Sequence, residues 1–237
     1  MEPLIKSDNY EIYKKENSVY KLCFRYTSYS LVNSLIKSRL IAGSSTNESY
    51  NIITFKAESV KTLKKYLHDY NKNKGRINLL ISDSAKMIRS LVIQLKYLLE
   101  KESSTILGYS PEEIIVINDD TFVFVGSELI ADFDVDTEHA MISCPFSPKD
   151  FFFSPELLII KELPAYVHFK ISYFSLACLI INVITGENEF YSEYLRDKQP
   201  TKILDQLNNH PVKETKIYWL LSRCLVEDPK NRSIIFI

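Results

Sequence analysis

The sequence predicts an α+β fold in which a short β-rich segment precedes a longer, mainly helical one. In the first part of the chain, aromatic and β-branched residues alternate with polar residues, as they do in half-buried strands. In later parts, apolar residues recur at three- and four-residue spacing, which is typical of amphipathic helices. The 237 residues are enough to bury a substantial core, and the hydrophobic fraction of 46% is typical of globular proteins.

The β-rich segment is predicted to contain three strands and one helix. Strands are expected at residues 10–13, 18–26 and 51–55, where β-formers alternate with polar residues. Between them, residues 27–41 carry apolar side chains at positions that form one helical stripe. A polar run that starts after Gly43 should end this helix.

The helical segment begins with two predicted helices. The first is expected at residues 59–71 and is followed by a polar turn at 71–75. The second should begin with Ser82 or Asp83 as its N-cap, because both side chains can accept a hydrogen bond from a free backbone N–H group. Its apolar residues follow the helical period closely through Leu99.

The remainder alternates short and long elements. Two apolar runs, 114–117 and 121–125, are joined by the turn formers Asn118, Asp119 and Asp120, which predicts a hairpin. Residues 131–153 are expected to be irregular. A buried helix is then predicted at 169–184, with Gly186 as its C-cap, and a last helix at about 213–226.

Composition argues against several classes of protein. The formal net charge is −1 and the basic residues are scattered, so no nucleic-acid partner is expected. The most apolar stretch, 169–184, is interrupted by polar residues and is too short for a bilayer, and the N-terminus lacks the pattern of a secretory signal. Hence no membrane association is predicted.

The cysteines and histidines predict neither a metal site nor disulfides. They lie far apart, at Cys23, Cys144, Cys178 and Cys224 and at His68, His139, His168 and His210. None of these spacings matches a zinc or redox motif. A reducing compartment such as the cytoplasm is therefore expected.

Three short motifs in the helical segment are informative through their order and spacing together. They are Phe153-Ser154-Pro155-Glu156-Leu157, Tyr173-Phe174-Ser175-Leu176-Ala177 and Cys224-Leu225-Val226-Glu227-Asp228-Pro229-Lys230-Asn231-Arg232. They resemble the Ala-Pro-Glu box, the start of the central helix and the closing Asp-Pro and Arg pattern of the kinase family. The resemblance covers the chain from about residue 54 onwards.

This resemblance implies a two-lobed kinase-like fold. A reduced N-terminal β-rich lobe would comprise residues 1–57, and a mainly helical C-terminal lobe would comprise residues 58–237. It also implies a structural ion pair between Glu156 and Arg232, which would be costly to break from one side. Exchanging the two charges is expected to restore part of the lost stability.

The same resemblance places the catalytic loop on residues 106–113, with Pro111-Glu112 setting the register. Gly108 would then occupy the position of the catalytic aspartate, although glycine has no side chain that could orient a substrate hydroxyl. Ser110 would replace the lysine that steadies the phosphate. Glu113 would replace the magnesium-binding asparagine, and its carboxylate could still bind a cation.

The magnesium-binding Asp-Phe-Gly motif would fall on Gly126-Ser127-Glu128, so that its aspartate is missing as well. A competing register would use Ala131-Asp132-Phe133-Asp134, but it requires six extra residues after the hairpin. No glycine precedes Gly43, so the glycine-rich phosphate loop cannot be present in its usual form. Lys21 and Arg25 are candidates for the nucleotide-binding lysine, but the helix predicted at 27–41 contains no glutamate to pair with either, which favours ordinary strand residues facing water.

The sequence therefore predicts a pseudokinase that binds another protein as a scaffold or regulatory module, with neither cofactor nor metal. A first alternative is an atypical serine/threonine-type kinase that binds ATP with Mg. Its replacement metal ligands would be Glu113, Glu128 or the acidic run Asp132, Asp134 and Asp136.

A second alternative is a structural component of a larger assembly, such as a viral particle. Frequent Lys, Ile, Asn and Tyr residues favour an AT-rich genome, and reduced kinase-like proteins are familiar from large DNA viruses. In that case the chain would reside in the virion or the host cytoplasm.

Overall fold

The computed structural model describes residues 2–74, 81–145, 151–186, 203, 205, 207–208 and 210–235. These residues form a mixed α+β structure, which confirms the predicted class. The strands are β1 (Ile5–Lys6), β2 (Tyr10–Lys14), β3 (Val19–Phe24), β4 (Ser45–Thr46), β5 (Ile52–Lys56), β6 (Val60–Thr62), β7 (Ser104–Ile106), β8 (Gly108–Tyr109), β9 (Ile114–Ile117), β10 (Thr121–Phe124), β11 (Ile130–Asp134), β12 (His139–Ile142), β13 (Phe152–Phe153) and β14 (Ala165–His168). The α-helices are α1 (Tyr29–Ile36), α2 (Leu63–Lys74), α3 (Ile81–Lys101), α4 (Pro155–Leu158), α5 (Ile171–Thr185) and α6 (Lys216–Cys224).

The first sheet is antiparallel and has the strand order β1-β2-β3-β5-β4. Strands β2, β3 and β5 lie close to the three predicted strands, whereas β1 and β4 are not predicted, and β4 falls in the polar run after Gly43. One face of β3 buries Tyr20, Leu22 and Phe24. Helix α1 contributes Leu31 and Leu35 to the same core and also packs against α3. The burial of alternate strand residues against a helix is the arrangement that a period of two requires.

Helix α1 is shorter than the predicted 27–41. Ser28 is its N-cap, and the Ser28 hydroxyl accepts a hydrogen bond from the Leu31 amide at 3.4 Å. The helix ends at Ile36 because Arg39 adopts a positive φ of 62° and donates its amide to the Ile36 carbonyl at 3.1 Å. A left-handed residue cannot continue a right-handed helix.

The predicted helix at 59–71 is wrong at its start. Val60–Thr62 forms a strand that pairs with β9, and the helix begins at Leu63. Two of these three residues are β-branched, and pairing with β9 outweighs their weak helical preference. The N-cap prediction for α3 is also wrong, because Ile81 is already helical. Asp83 instead accepts a hydrogen bond from the Tyr70 hydroxyl at 2.8 Å, which ties α2 to α3.

The hairpin of β9 and β10 is confirmed, with Ile117 opposite Thr121. Its turn residues Asn118 and Asp119 both have positive φ values, 54° and 57°, as their composition favours. The side chain of Gln94 connects α3 to the end of β10. Its amide group donates to the Phe124 carbonyl at 2.9 Å and accepts from the Phe124 amide at 2.8 Å.

The predicted irregular segment at 131–153 is largely wrong. It contains β12, β13 and most of β11, and a four-stranded sheet runs in the order β14-β12-β11-β7. The pairing partner of β11 on one side is β7, about 26 residues earlier in the chain, so no local pattern reveals it. Residues 146–150 of this prediction lie outside the described residues.

The buried helix and its C-cap are confirmed. Helix α5 exposes few of its side chains because neighbouring elements surround it, which explains why its sequence is apolar on all sides. Gly186 has a φ of 71° and donates its amide to the Asn182 carbonyl at 2.9 Å. Within the described part of the chain, none of the helices has the length and apolarity needed to cross a membrane.

The last predicted helix, 213–226, is confirmed in part. A single-turn 3₁₀-helix at Pro211–Glu214 comes first, and α6 occupies Lys216–Cys224. Helix α6 packs against α5 and buries Ile217, Leu220 and Leu221. This packing leaves Trp219 on the outside.

Candidate functional site

A polar cavity of about 610 Å³ lies between the first turn of the chain and the segment that follows β8. The turn Ser7–Asn9 forms one wall, and Glu112, Glu113 and Glu128 contribute to the other. We call it the polar cavity. It contains residues 110 and 113 of the predicted catalytic loop together with Glu128, so the structure brings these sequence-predicted positions together.

Glu113 is the buried acid of this cavity. Its side chain is only 4% exposed, and Oε1 accepts hydrogen bonds from the Ser7 hydroxyl at 3.2 Å and the Asn9 amide at 3.3 Å. The other oxygen, Oε2, is buried and has no hydrogen-bond partner among the described residues. Burial raises the pKa of Glu113, and the nearby carboxylates add to this rise.

The Asn9 side chain lies between two carboxylates. In one orientation its amide nitrogen donates to Glu113, and in the other it donates to Glu128 Oε1 and Oε2 at 2.8 and 3.2 Å. In the second orientation the Asn9 carbonyl faces Glu113, which can then serve as the donor if it is protonated. Protonation of Glu113 therefore allows Asn9 to bridge both acids.

The Tyr10 hydroxyl also connects the first sheet to this segment, because it donates to the Glu112 carbonyl at 2.6 Å. Burial raises the pKa of Tyr10 far above its usual value, so Tyr10 remains a donor. The β1–β2 turn is thus fixed to residues 112 and 113 by Ser7, Asn9 and Tyr10.

Replacing Glu113 with glutamine is expected to stabilise the protein at alkaline pH. The raised pKa means that folding favours the protonated acid. The stability that protonated Glu113 contributes is therefore complete below its unfolded pKa and is lost as pH rises through its folded pKa. Glutamine does not titrate and avoids the loss. Melting temperatures from about pH 5 to about pH 8 should therefore show a growing advantage of the variant.

Glu112→Gln is the matched control for this prediction, because Glu112 is exposed and forms a surface ion pair with Lys64 at 2.8 Å. Its melting temperature should follow that of the unaltered protein across the pH range and differ only by the small effect of losing one surface ion pair. A loss of stability in Glu113→Gln that is equal at both ends of the pH range would contradict the assignment.

Gly108 lies where an added side chain would collide with its neighbours. It is buried and pairs with Phe153 across β8 and β13. A Cβ atom added to it would lie 2.6 Å from Cδ1 of Phe153 and 3.1 Å from the Phe152 carbonyl oxygen. The Phe153 ring therefore takes the space that an aspartate at residue 108 would need.

Gly126 is enclosed in a similar way. An added Cβ atom would lie 2.7 Å from Cζ of Phe124 and 3.2 Å from Oε2 of Glu113. A carboxylate at this position would clash with an aromatic ring and face a second acid. Gly126 and Glu113 are thus neighbours, and glycine is the residue that this packing accepts.

The other candidate residues do not converge on the polar cavity, with the exception of Ser110. The Ser110 hydroxyl lines it and accepts from the Glu112 amide at 3.3 Å. Lys21 points to the sheet face opposite Tyr20 and Leu22, and exposed Arg25 donates to the Asp8 carbonyl at 3.3 Å. Neither Lys21 nor Arg25 is among the described residues that line the cavity.

The acidic run forms a hairpin. Asp132 Oδ1 accepts from the Ser104 hydroxyl at 2.7 Å, and Asp134 Oδ1 accepts from the Thr137 amide at 2.7 Å. Backbone and side-chain hydrogen bonds from Thr137 lower the pKa of Asp134. Asp134 thus shapes the β11–β12 turn, whereas Asp132 connects β11 to β7. None of the aspartates in the run is among the described residues lining the polar cavity.

Glu156 and Arg232 form an ion pair. Arg232 is completely buried, and its Nη1 and Nη2 atoms lie 3.2 and 2.5 Å from the two Glu156 carboxylate oxygens. The guanidinium also donates to the carbonyls of Val226 at 2.8 Å and Glu227 at 3.0 Å, and it stacks over the Phe174 ring. One cation therefore connects α4, α5 and the end of the described chain.

The buried Cys224 thiol lies beside this network. Its Sγ atom donates to the Ser233 carbonyl at 3.6 Å, next to Arg232 in sequence. Burial raises the pKa of Cys224 to about 12. All four cysteines are free.

Ser7 and Asn9 are the site residues that sequence reasoning missed. No catalytic motif contains them, and the only local signal is the turn composition Ser-Asp-Asn before a strand. Their partner Glu113 lies more than one hundred residues away in the chain. Only the fold brings them together.

The comparisons with known proteins identify no family for this chain. No protein-family profile matches the sequence, and no curated protein shows significant similarity to it. Among the described residues, no group of three or more histidine, cysteine, aspartate or glutamate side chains is arranged to hold a metal ion.

Proposed function

We propose that this chain is a reduced protein-kinase-like module that does not transfer phosphate and that acts by binding another protein. The observation that carries the proposal is the packing of Phe153 against Gly108. If residue 108 corresponds to the catalytic aspartate, its place is filled by an aromatic ring.

The arrangement of elements supports the kinase-like part of the proposal. An antiparallel five-stranded sheet with one helix between its third and fourth strands comes first, and α3 and α5 then pack together. The ion pair of Glu156 and Arg232 joins the same motifs that it joins in kinases. Under this proposal, residues 1–57 form the small lobe and residues 58–237 the large one.

Electrostatics argue against a nucleotide triphosphate in the polar cavity. Four of the described residues that line it are acids, namely Asp8, Glu112, Glu113 and Glu128, and Lys6 is the only base among them. This cavity would repel the phosphates rather than attract them. The residues present therefore do not fit ATP with Mg, and no phosphotransfer step can be derived from them.

A thermal-shift titration with ATP tests the proposal, because a ligand that binds only the folded state raises the melting temperature. We expect no shift with ATP alone, with Mg²⁺ or with Mn²⁺, and no transfer of labelled phosphate to protein substrates. An active kinase assayed in parallel is the positive control. A metal-dependent rise in melting temperature would instead support the alternative in which Glu113 and Glu128 bind a cation for a nucleotide.

A further inference from the structure

A second concave surface lies far from the polar cavity in sequence, between the first half of α3 and α6. It encloses about 560 Å³. Ile88, Ile217 and Leu220 form its apolar floor. Ile81 and Ile235 line its mouth and are 43% and 46% exposed. Exposed isoleucines around a concave apolar surface are typical of a protein-binding site.

The described charged side chains that line this surface are all basic. Its described lining residues include Lys86, Arg89 and Lys216 and no aspartate or glutamate. Asp120 binds Lys86 at 3.0 Å, whereas Arg89 and Lys216 have no ion pair with any residue that the structure describes. We call this surface the basic groove. Two of its cations are thus available to a partner.

Trp219 extends the exposed apolar area next to the groove. It is 60% exposed and is the only tryptophan of the chain. It lies three residues after Lys216 in α6, and residues at this spacing are neighbours on a helix surface. Aromatic and arginine side chains supply much of the binding energy at protein interfaces. Trp219 and Arg89 therefore flank the groove with the residue types that bind partners best.

We propose that the basic groove binds an acidic amphipathic helix of another protein. Apolar side chains at i, i+3 or i+4 and i+7 would contact Ile88, Ile217 and Leu220, and the acidic side chains would pair with Arg89 and Lys216. A second copy of this chain is a poorer fit, because a symmetric contact would place the same cations opposite each other. The inference rests on the proposed function and specifies the class of partner.

Selection from a phage-displayed library tests the inference. Random peptides of about 16 residues, roughly four helical turns, are selected on the full chain and counter-selected on the double variant Arg89→Glu/Lys216→Glu. We expect the enriched peptides to carry negative net charge and apolar residues at helical spacing. Binding should change the fluorescence of Trp219 and should weaken at high salt.

The double variant should weaken binding of the selected peptides by about tenfold or more, because both cations become repulsive. Ile81→Asp should weaken it independently through the apolar contact, and this residue is exposed enough for the fold to tolerate the change. The matched control is Lys37→Glu/Lys56→Glu, which changes the net charge equally at two exposed positions, directly after α1 and at the end of β5. The control should bind the peptides like the unaltered chain.

Several outcomes would overturn the inference. Enriched peptides that are basic or lack charge preference would do so, as would peptides that bind both double variants equally well. If Arg89→Glu/Lys216→Glu lowers the melting temperature of the free chain more than the control does, the groove is filled by the chain itself. If sedimentation shows a dimer that this variant dissociates, a second copy occupies it.

The two proposals can fail separately. Stabilisation by Mg-ATP would contradict the proposed function and leave the peptide result unchanged. A protein partner that is captured equally well by the Arg89→Glu/Lys216→Glu variant would support protein binding but exclude the groove as its site.

Discussion

Replacing Arg232 with glutamine is expected to reduce the free energy of unfolding by about 3–5 kcal/mol, the usual cost of removing one partner of a buried ion pair. The substitution leaves the Glu156 carboxylate without its cation and removes donors from the carbonyls of Val226 and Glu227. It also leaves a space beside the Phe174 ring. Equilibrium unfolding in urea, followed by far-UV circular dichroism, measures the effect.

Arg223→Gln is the control for this variant, because Arg223 is an exposed arginine in the last turn of α6. Its effect should remain within about 0.5 kcal/mol, as for most surface substitutions. Equal stabilities of the two variants would show that the buried ion pair is not needed for folding.

The structure changes the expectation for the charge exchange Glu156→Arg/Arg232→Glu. The sequence resemblance predicts partial recovery, whereas the structure predicts little. A carboxylate at residue 232 would face the two carbonyl oxygens that now accept from the guanidinium. It would also lie against the electron-rich face of the Phe174 ring.

Replacing Gly108 with aspartate is expected to cost at least about 3 kcal/mol, because the new side chain overpacks the core and buries an unpaired charge. The Phe153 ring and the Phe152 carbonyl occupy the space it needs. The double variant Gly108→Asp/Gly126→Asp should have no phosphotransfer activity although it restores both acids in sequence. Urea unfolding and a phosphate-transfer assay measure the two results.

A double-mutant cycle identifies the cause of this loss. Gly108→Ala should destabilise by about 1–3 kcal/mol in the unaltered protein. The loss should be smaller by about 1 kcal/mol in a Phe153→Leu background, where the contacting ring is gone. Gly43→Ala is the control. Gly43 has a positive φ of 65° and an open environment, so its cost should be equal in both backgrounds. Equal costs for Gly108→Ala would refute the packing explanation.

The elements that the sequence predicts well are those that short-range patterns define. The apolar period of α3, the uniformly apolar α5 with its glycine cap, and the Asn-Asp-Asp turn of the β9–β10 hairpin each encode a local preference. In each case the tertiary environment agrees with that preference. Prediction and structure therefore coincide within a few residues.

The elements that were mispredicted depend on distant partners. Val60–Thr62 becomes a strand because β9 pairs with it, and the segment after residue 130 becomes a sheet through pairing with β7 and β14. The stability of such strands comes from cross-strand contacts rather than from the residues themselves. A single sequence contains no direct record of those contacts.

The candidate site shows the same division. The sequence resemblance, aligned on Pro111-Glu112, places Glu113 and Gly126 at the two positions that bind magnesium in kinases. The structure brings these two residues within contact distance of each other. Counting cannot reveal that Asn9 reaches Glu113 and Glu128, or that Lys21 faces the opposite side of its sheet. The basic groove was missed for a similar reason. Its cations are scattered in sequence and converge only where α3 meets α6.

The buried Cys224 thiol, which donates a hydrogen bond to the Ser233 carbonyl, can serve as a chemical probe of local opening. A thiol that is buried and protonated does not react with alkylating reagents, whereas an exposed thiol does. Modification of Cys224 therefore requires an opening of the structure that exposes this buried sulfur atom. The alkylation rate of this one sulfur atom thus reports how often the packing around the end of α6 opens, without any label or mutation there.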